Sequence, residues 1–248
     1  MIDHASFNDL CSRLIGADRK RSGIGTLGEK TLHFVLKNYF QNDPSFHEVK
    51  VGKYYADILD ENGITEIQTR SFNVMRKKLR AFLPDHRVRI VFPVARRKQI
   101  VWIDPDSGET TTPRKSPKTG VPADILPELY KIKEFLYDPA LSFTVVLLDV
   151  TEYRLKNGWS ADGKHGSEKY ESIPDSIEYT LDINNAEDYA ALLPPDLPDS
   201  FDSKTFSKII KRSRNKSGIM LNVLTYIGAV ERTSKVGNAF IYKIAERD

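Results

Sequence analysis

Apolar and polar positions alternate in long stretches of this chain, and the period of that alternation changes along it. Leu32, Val35, Leu36 and Tyr39 recur at helical spacing, which predicts a helix from near Thr26 to Phe40 that Asn42, Asp43 and Pro44 end. A shorter helix is expected over Phe7–Ile15. The period then falls to two. Strands are expected at Glu48–Leu59 and Ile64–Arg70, joined by the turn Asp60-Glu61-Asn62-Gly63. Phe72, Met75, Leu79 and Phe82 form one face of a helix over Asn73–Leu83, with Arg76, Lys77 and Arg80 away from it. Strands at Val88–Val94 and Gln99–Ile103, a helix over Asp124–Tyr137 and a buried strand at Phe143–Val150 follow. This order of helices and strands predicts a mixed α/β domain.

Past that domain the pattern loosens. Lys156–Pro174 is polar and rich in Gly and Ser, and reads as a loop or domain junction; LPPDLPD (Leu193–Asp199) is a second boundary signal. Beyond it, Ser203–Lys211 and Arg214–Ile227 read as helices, with Gly228 in the position of a C′ glycine. Val230–Thr233 and Ala239–Ile244 read as strands around the turn Lys235–Asn238. The expected division is a first domain over 1–155, a linker or extension over 156–183, and a small α+β domain over 184–248.

Charge changes the picture more than composition does. The net charge is only +3, but Arg70–Lys98 holds ten Lys/Arg against one acid, and Ser200–Asp248 ten against four. Glu134–Asp202 between them carries fifteen acids and four Lys/Arg. Two basic regions suit a polyanion, although solvated surface faces would have the same composition. Cys11 is the one cysteine, which excludes a disulfide framework and a thiolate metal site, and the five histidines lack metal-ligand spacing. With no membrane-length apolar run and no signal-peptide core, the expected location is cytoplasmic, without a membrane partner.

The chemistry centres on the hairpin. If Leu59 pairs with Ile64 and Ile58 with Thr65, Asp57 faces Glu66, with β-carbons about 5 Å apart. Gln68 and Arg70 project from the same face. Two carboxylates directly opposite each other repel unless a cation sits between them, and Mg²⁺ needs only one or two carboxylates plus waters and phosphates. Glu29, in the first turn of its helix, shares the inward side with Leu32, His33 and Leu36 and can join them. Taken singly, Asp57 and Glu66 are ordinary edge-strand acids and Glu29 a helix-dipole residue; the ordered combination is more specific.

GEKTLH (Gly28–His33), ADILD (Ala56–Asp60) and EIQ (Glu66–Gln68), followed by an amphipathic helix, resemble the PD-(D/E)xK nuclease superfamily over Thr26–Val94. The resemblance implies a restriction endonuclease-like αβββαβ core with a mixed sheet, whose second and third strands form the motif hairpin. It also implies Mg²⁺ or Mn²⁺ held by Asp57, Glu66 and the Ile67 carbonyl, with Glu29 completing the site. Gln68 stands where the family usually has lysine; it would orient water by hydrogen bonds but brings no charge, which Arg70 would then supply. Ser203–Ile244 resembles a winged helix-turn-helix domain, which places the start of its second helix in a DNA major groove. The DNA contacts this suggests are Lys211, Arg212, Arg214, Asn215 and Lys216, with Lys235 in the wing. Arg76, Lys77 and Arg80, and Arg114, Lys115 and Lys118, are further candidates for the phosphate backbone. The function expected is a metal-dependent endonuclease acting on double-stranded DNA, with a homodimer where both strands are cut. The alternative is a non-catalytic DNA-binding protein or transcriptional regulator on a degenerate nuclease fold.

Overall fold

The Asn62-Gly63 turn sets up the central element. Tyr54–Asp60 (β2) and Gly63–Ile67 (β3) pair antiparallel, Ile58 with Thr65 and Leu59 with Ile64, as the alternation predicts. Asp60 also pairs with Gly63, so the loop is the two residues Glu61-Asn62 and not the four expected. The Asp60 carboxylate accepts the Asn62 N–H at 2.9 Å. Gly63 has φ +112°, and a β-carbon there would meet the Arg87 carbonyl oxygen at 2.4 Å. That carbonyl accepts the Ile64 N–H at 2.8 Å, so the close approach belongs to the pairing of β3 with the next strand.

The computed structural model describes residues 4–22, 31–69, 71–158 and 168–245. Its helices begin with His4–Ser22 (α1), longer than expected, and Thr31–Phe40 (α2). Residues 26–30, where the second helix is expected to start, lie outside the described residues, as do Glu29 and Arg70. After His47–Val51 (β1), β2 and β3 comes a 3₁₀ turn at Phe72–Met75 and the helix Arg76–Phe82 (α3). Val88–Ile103 (β4), Arg114–Lys115 (β5), Leu126–Leu129 (α4), Leu141–Leu155 (β6) and Glu168–Ile183 (β7) follow. The seven-stranded sheet has the order β1-β2-β3-β4-β6-β7, with β5 on β4; β3 and β4 are parallel while β2–β3 and β4–β5 are antiparallel. The protein is thus mixed α/β with a large mixed sheet.

Three expectations are corrected. The two strands expected over 88–103 are one strand, because Arg96 and Lys98 lie in it and pair with Asp149 and Glu152, at 3.2 and 2.7 Å, and do not break it. The loop expected through Pro174 gives way at Glu168 to β7, in which Ser172, Pro174 and Ile177 are buried. Pro174 is tolerated there because β7 is the last strand in the sheet order. The helix expected over Asp124–Tyr137 is broken into short helical turns, with Ile132 at φ −121°, ψ 25°.

The chain divides into two compact units that interleave: 1–47, 93–120 and 146–180 in one, and 48–92, 121–145 and 181–248 in the other. The expected boundaries at 155 and 184 follow chain order, whereas these units do not. In the first unit Phe7 is fully buried, edge-on to Tyr39 with ring centroids 5.1 Å apart. In the second, Phe72 lies edge-on to Phe92 and stacks with Phe143, among buried Ile58, Ile64, Leu79, Phe82 and Ile90. The second unit also contains Ser200–Asp202 (β8), Ser203–Ile209 (α5), Arg214–Tyr226 (α6), Val230–Val236 (β9) and Ala239–Ile244 (β10). These last strands form an antiparallel sheet in the order β8-β10-β9. Asp202 caps α5 by accepting the Thr205 N–H at 2.8 Å, and Ser213 caps α6. Gly228, at φ +72°, closes α6 as expected. Among the described residues no helix is long and apolar enough to cross a membrane.

Candidate functional site

The register of β2 and β3, continued by one residue, sets Asp57 opposite Glu66 on one face of the hairpin. The ladder ends in a side-chain contact: Asp57 Oδ2 accepts the Ile67 N–H at 2.7 Å. Glu66 is only 3% exposed. Burial, then the neighbouring Asp57 charge, pushes its carboxyl up to about 7, against the opposing pull of Lys78 and of the Asp57 backbone.

Lys78 was not among the residues expected here. It reaches Glu66 from α3, with Nζ at 3.0 Å from Oε1 and 2.8 Å from Oε2. Its position carried a signal. Lys78 is three residues after Met75 and four before Phe82, both on the apolar face of the predicted helix, so it borders the buried side. The turn into α3 is itself pinned. Gln68 receives support from β4, donating its N–H to the Val91 carbonyl at 2.9 Å, and its side-chain amide donates to the Ser71 carbonyl at 2.8 Å. Lys131 donates to Ser71 Oγ and to both Glu128 oxygens, and Glu128 accepts the Phe72 N–H at 2.9 Å.

The structure therefore brings together Asp57, Glu66 and Ile67, and turns the Gln68 amide toward the Ser71 carbonyl. Glu29 and Arg70 lie outside the described residues. Among those described, no group of three or more His, Cys, Asp or Glu is arranged to hold a metal ion. The Asp57–Glu66 pair still fits a divalent cation. Two carboxylates suffice for Mg²⁺ when waters and phosphates complete the shell, and one of the two, Glu66, already holds the ammonium of Lys78 on both its oxygens.

The basic candidates divide into paired and exposed groups. Arg76 and Arg80 both donate to Glu134, at 2.5 and 2.7 Å, while Lys77 is exposed. Arg212 donates through Nε to Asp124 Oδ1 at 2.8 Å and through a terminal nitrogen to Oδ2; Lys216 donates to the same Oδ1 at 2.9 Å. Burial works against the Asp124 charge, but these hydrogen bonds from Arg212 and Lys216 hold its carboxyl below the usual range. Lys211, Arg214, Asn215 and Lys235 are exposed, and Lys235 Nζ lies 5.6 Å from the Phe240 ring centroid. In the other unit Arg114, Lys115 and Lys118 are exposed, and Lys115 lines a cavity of about 490 Å³ with Arg97, Lys98, Asp149 and Asp175.

The fold and hairpin define a mixed α/β protein in which a buried carboxylate, Glu66, lies opposite a half-buried one, Asp57. The chain belongs to the family described as "Domain of unknown function (DUF8091)", whose model matches residues 30–184. That span contains Asp57, Glu66, Gln68 and Lys78 and ends before β8. A protein of Treponema pallidum (strain Nichols), described as "Uncharacterized protein", is 29% identical over 167 residues. The match covers 67% of this chain and 64% of that protein's length. No solved structure matches the chain.

Proposed function

We propose that the chain is a metal-dependent DNA endonuclease with a PD-(D/E)xK-type site. The observation that carries this reading is the meeting of Asp57 and Glu66 on one hairpin face, with Ile67 at the same point. The element order supports it: α2, β1, β2, β3, α3 and β4 follow the αβββαβ sequence, with β2–β3 as the motif hairpin. Asp57, Glu66 and the Ile67 carbonyl would hold Mg²⁺ or Mn²⁺, which when bound lowers the pKa of water and offsets phosphate charge. The Asp57 carboxylate, by accepting the Ile67 N–H, fixes the backbone of the residue between Glu66 and Gln68. Gln68, held through its amide nitrogen, is the residue to orient water. In the reaction a water oxygen bonds to phosphorus, one P–O ester bond breaks, and the products are a phosphomonoester and an alcohol.

Docking on duplex DNA falls to a winged helix-turn-helix module made of β8, α5, α6, β9 and β10. The β8-β10-β9 order and the N-terminal position of Arg214 and Asn215 on α6 support this assignment. Lys77, Lys211 and Lys235 would meet phosphates and contribute affinity without sequence readout. A second reading, a DNA-binding regulator without hydrolysis, is favoured by one observation: the Glu66 oxygens are already held by Lys78 while Gln68 brings no charge.

Plasmid incubation with Mg²⁺ or Mn²⁺, comparing wild type with Asp57→Ala, separates the two. Cleavage by wild type that is chelator-sensitive and falls at least about 100-fold in the variant supports the nuclease, in line with loss of a group that stabilises transition-state charge. Retardation of DNA by both proteins with no cutting by either supports the regulator.

A further inference from the structure

We propose that Lys78 supplies, from the helix after the hairpin, the positive charge that the glutamine at position 68 does not. The inference rests on the hydrolytic reading above and assigns a role to a residue that the hairpin motif leaves out. Three observations carry it. Lys78 touches the buried member of the carboxylate pair, with contacts of 3.0 and 2.8 Å to the two Glu66 oxygens. Its side chain is 26% exposed against 4% for Glu66, so Lys78 is the more solvent-accessible member of the ion pair. Gln68, in contrast, is tied by its side-chain nitrogen to the Ser71 carbonyl.

Charge balance assigns the direction of each effect. With both carboxylates ionised, as a bound cation requires, Asp57, Glu66 and Lys78 together carry one negative charge. A divalent cation makes the site positive by one, and a phosphodiester brings it to neutrality. Without Lys78 the loaded site with its phosphodiester is negative by one. The attack of water adds negative charge at phosphorus, so the missing ammonium is felt most in the transition state. Metal binding without DNA responds in the opposite sense. The Lys78 ammonium occupies both oxygens of Glu66 and repels a second cation, so its removal strengthens metal binding. Lys78 thus trades metal affinity for phosphate turnover. A purely structural ion pair between α3 and β3 would not do this, because its loss would loosen the hairpin and weaken both.

The experiment uses the full chain as wild type, Lys78→Gln, Lys78→Arg and the double variant Gln68→Lys/Lys78→Gln. Two quantities are read: Mn²⁺ affinity without DNA, by calorimetric titration, and plasmid cleavage with Mn²⁺. A like charge at this range shifts proton affinity by one to three pKa units, so Lys78→Gln should bind Mn²⁺ about tenfold more tightly. Its cleavage should fall about 100-fold, the usual cost of losing one group that stabilises transition-state charge. Lys78→Arg keeps the charge and should retain cleavage, and the double variant, with the charge moved to the strand, should regain it. Wild-type cleavage left unchanged in Lys78→Gln overturns the inference and spares the nuclease reading. Parallel losses of metal affinity and cleavage, unrescued in the double variant, also overturn it by reducing Lys78 to a structural pair. Absence of cutting by wild type itself overturns both readings together.

Discussion

Replacing Asp124 by alanine tests whether the start of α6 is anchored within its unit by charge. Asp124 accepts hydrogen bonds from Arg212 Nε at 2.8 Å, from Lys216 at 2.9 Å and from the Val121 N–H at 3.1 Å. The Asp124 and Arg212 side chains are 15% and 17% exposed, so the alanine variant leaves a half-buried guanidinium without its carboxylate, though Nη1 still donates to the Ile210 and Lys211 carbonyls. Breaking such a pair costs about 3 kcal/mol. Loss of the carboxylate that caps the turn at Val121 adds about 1 kcal/mol. At roughly 2–4 °C per kcal/mol for a chain of this size, the expected fall in Tm is about 10 °C. In urea the midpoint should fall with little change of slope. The pH dependence gives a second reading of the same contact. The folded-state pKa of Asp124 is depressed, so the stability it contributes is complete above the unfolded carboxylate value near ~4 and is lost as pH falls through the lower folded value. The gap between wild type and Asp124→Ala should therefore narrow in acid. A difference under about 1 kcal/mol at neutral pH, or one that stays constant into acid, refutes the buried-anchor account.

Two further predictions concern the hairpin. Glu66 has a raised folded pKa of about 7, so between the ordinary carboxyl range and that value the folded state binds more protons than the unfolded one. Wild-type stability should fall as pH rises through this window, and Glu66→Gln should flatten the slope in melts taken from pH 5 to 8; an unchanged slope would show that another group carries it. Gly63→Ala places a β-carbon 2.4 Å from the Arg87 carbonyl at a backbone angle unfavourable to alanine, so the denaturant midpoint should drop by the equivalent of about 2 kcal/mol. A neutral result there would mean that the β3–β4 edge yields without cost.

Local features of the chain were legible because they are set by neighbouring residues. The Asn62-Gly63 turn, read with the pleat, predicts the pairing of Ile58 with Thr65 and the shared face of Asp57 and Glu66. Gly228 stands where helix chemistry calls for it. What escaped depends on contacts distant in sequence. Arg96, Arg97 and Lys98 look like a break between strands until Asp149 and Glu152 appear opposite them. The polar run in β7 looks like a loop because an edge strand buries few of its side chains. Lys78 had a readable place on its helix, but its contact with Glu66 follows from how α3 lies over β3, which helical periodicity alone does not specify.

Charge segregation was legible too, but its meaning changes once partners are known. The basic stretch 70–98 and the basic C-terminal stretch suggest two continuous cationic surfaces. Instead, Glu134 holds Arg76 and Arg80, while Asp124 holds Arg212 and Lys216. A phosphate that drew Arg212 away would leave Asp124 buried with less compensation, so the new contact is offset by the one it breaks. Arg76 and Arg80 are more exposed and cheaper to redirect, but each still exchanges one anion for another. On the proposed DNA-binding reading, attraction among these candidates would rest on the exposed Lys77, Lys211, Arg214 and Lys235, whose approach to phosphate would displace mainly water and counterions. These cations lie on different elements, so on that reading the path of a phosphate backbone would follow from the fold of the unit and not from either basic run.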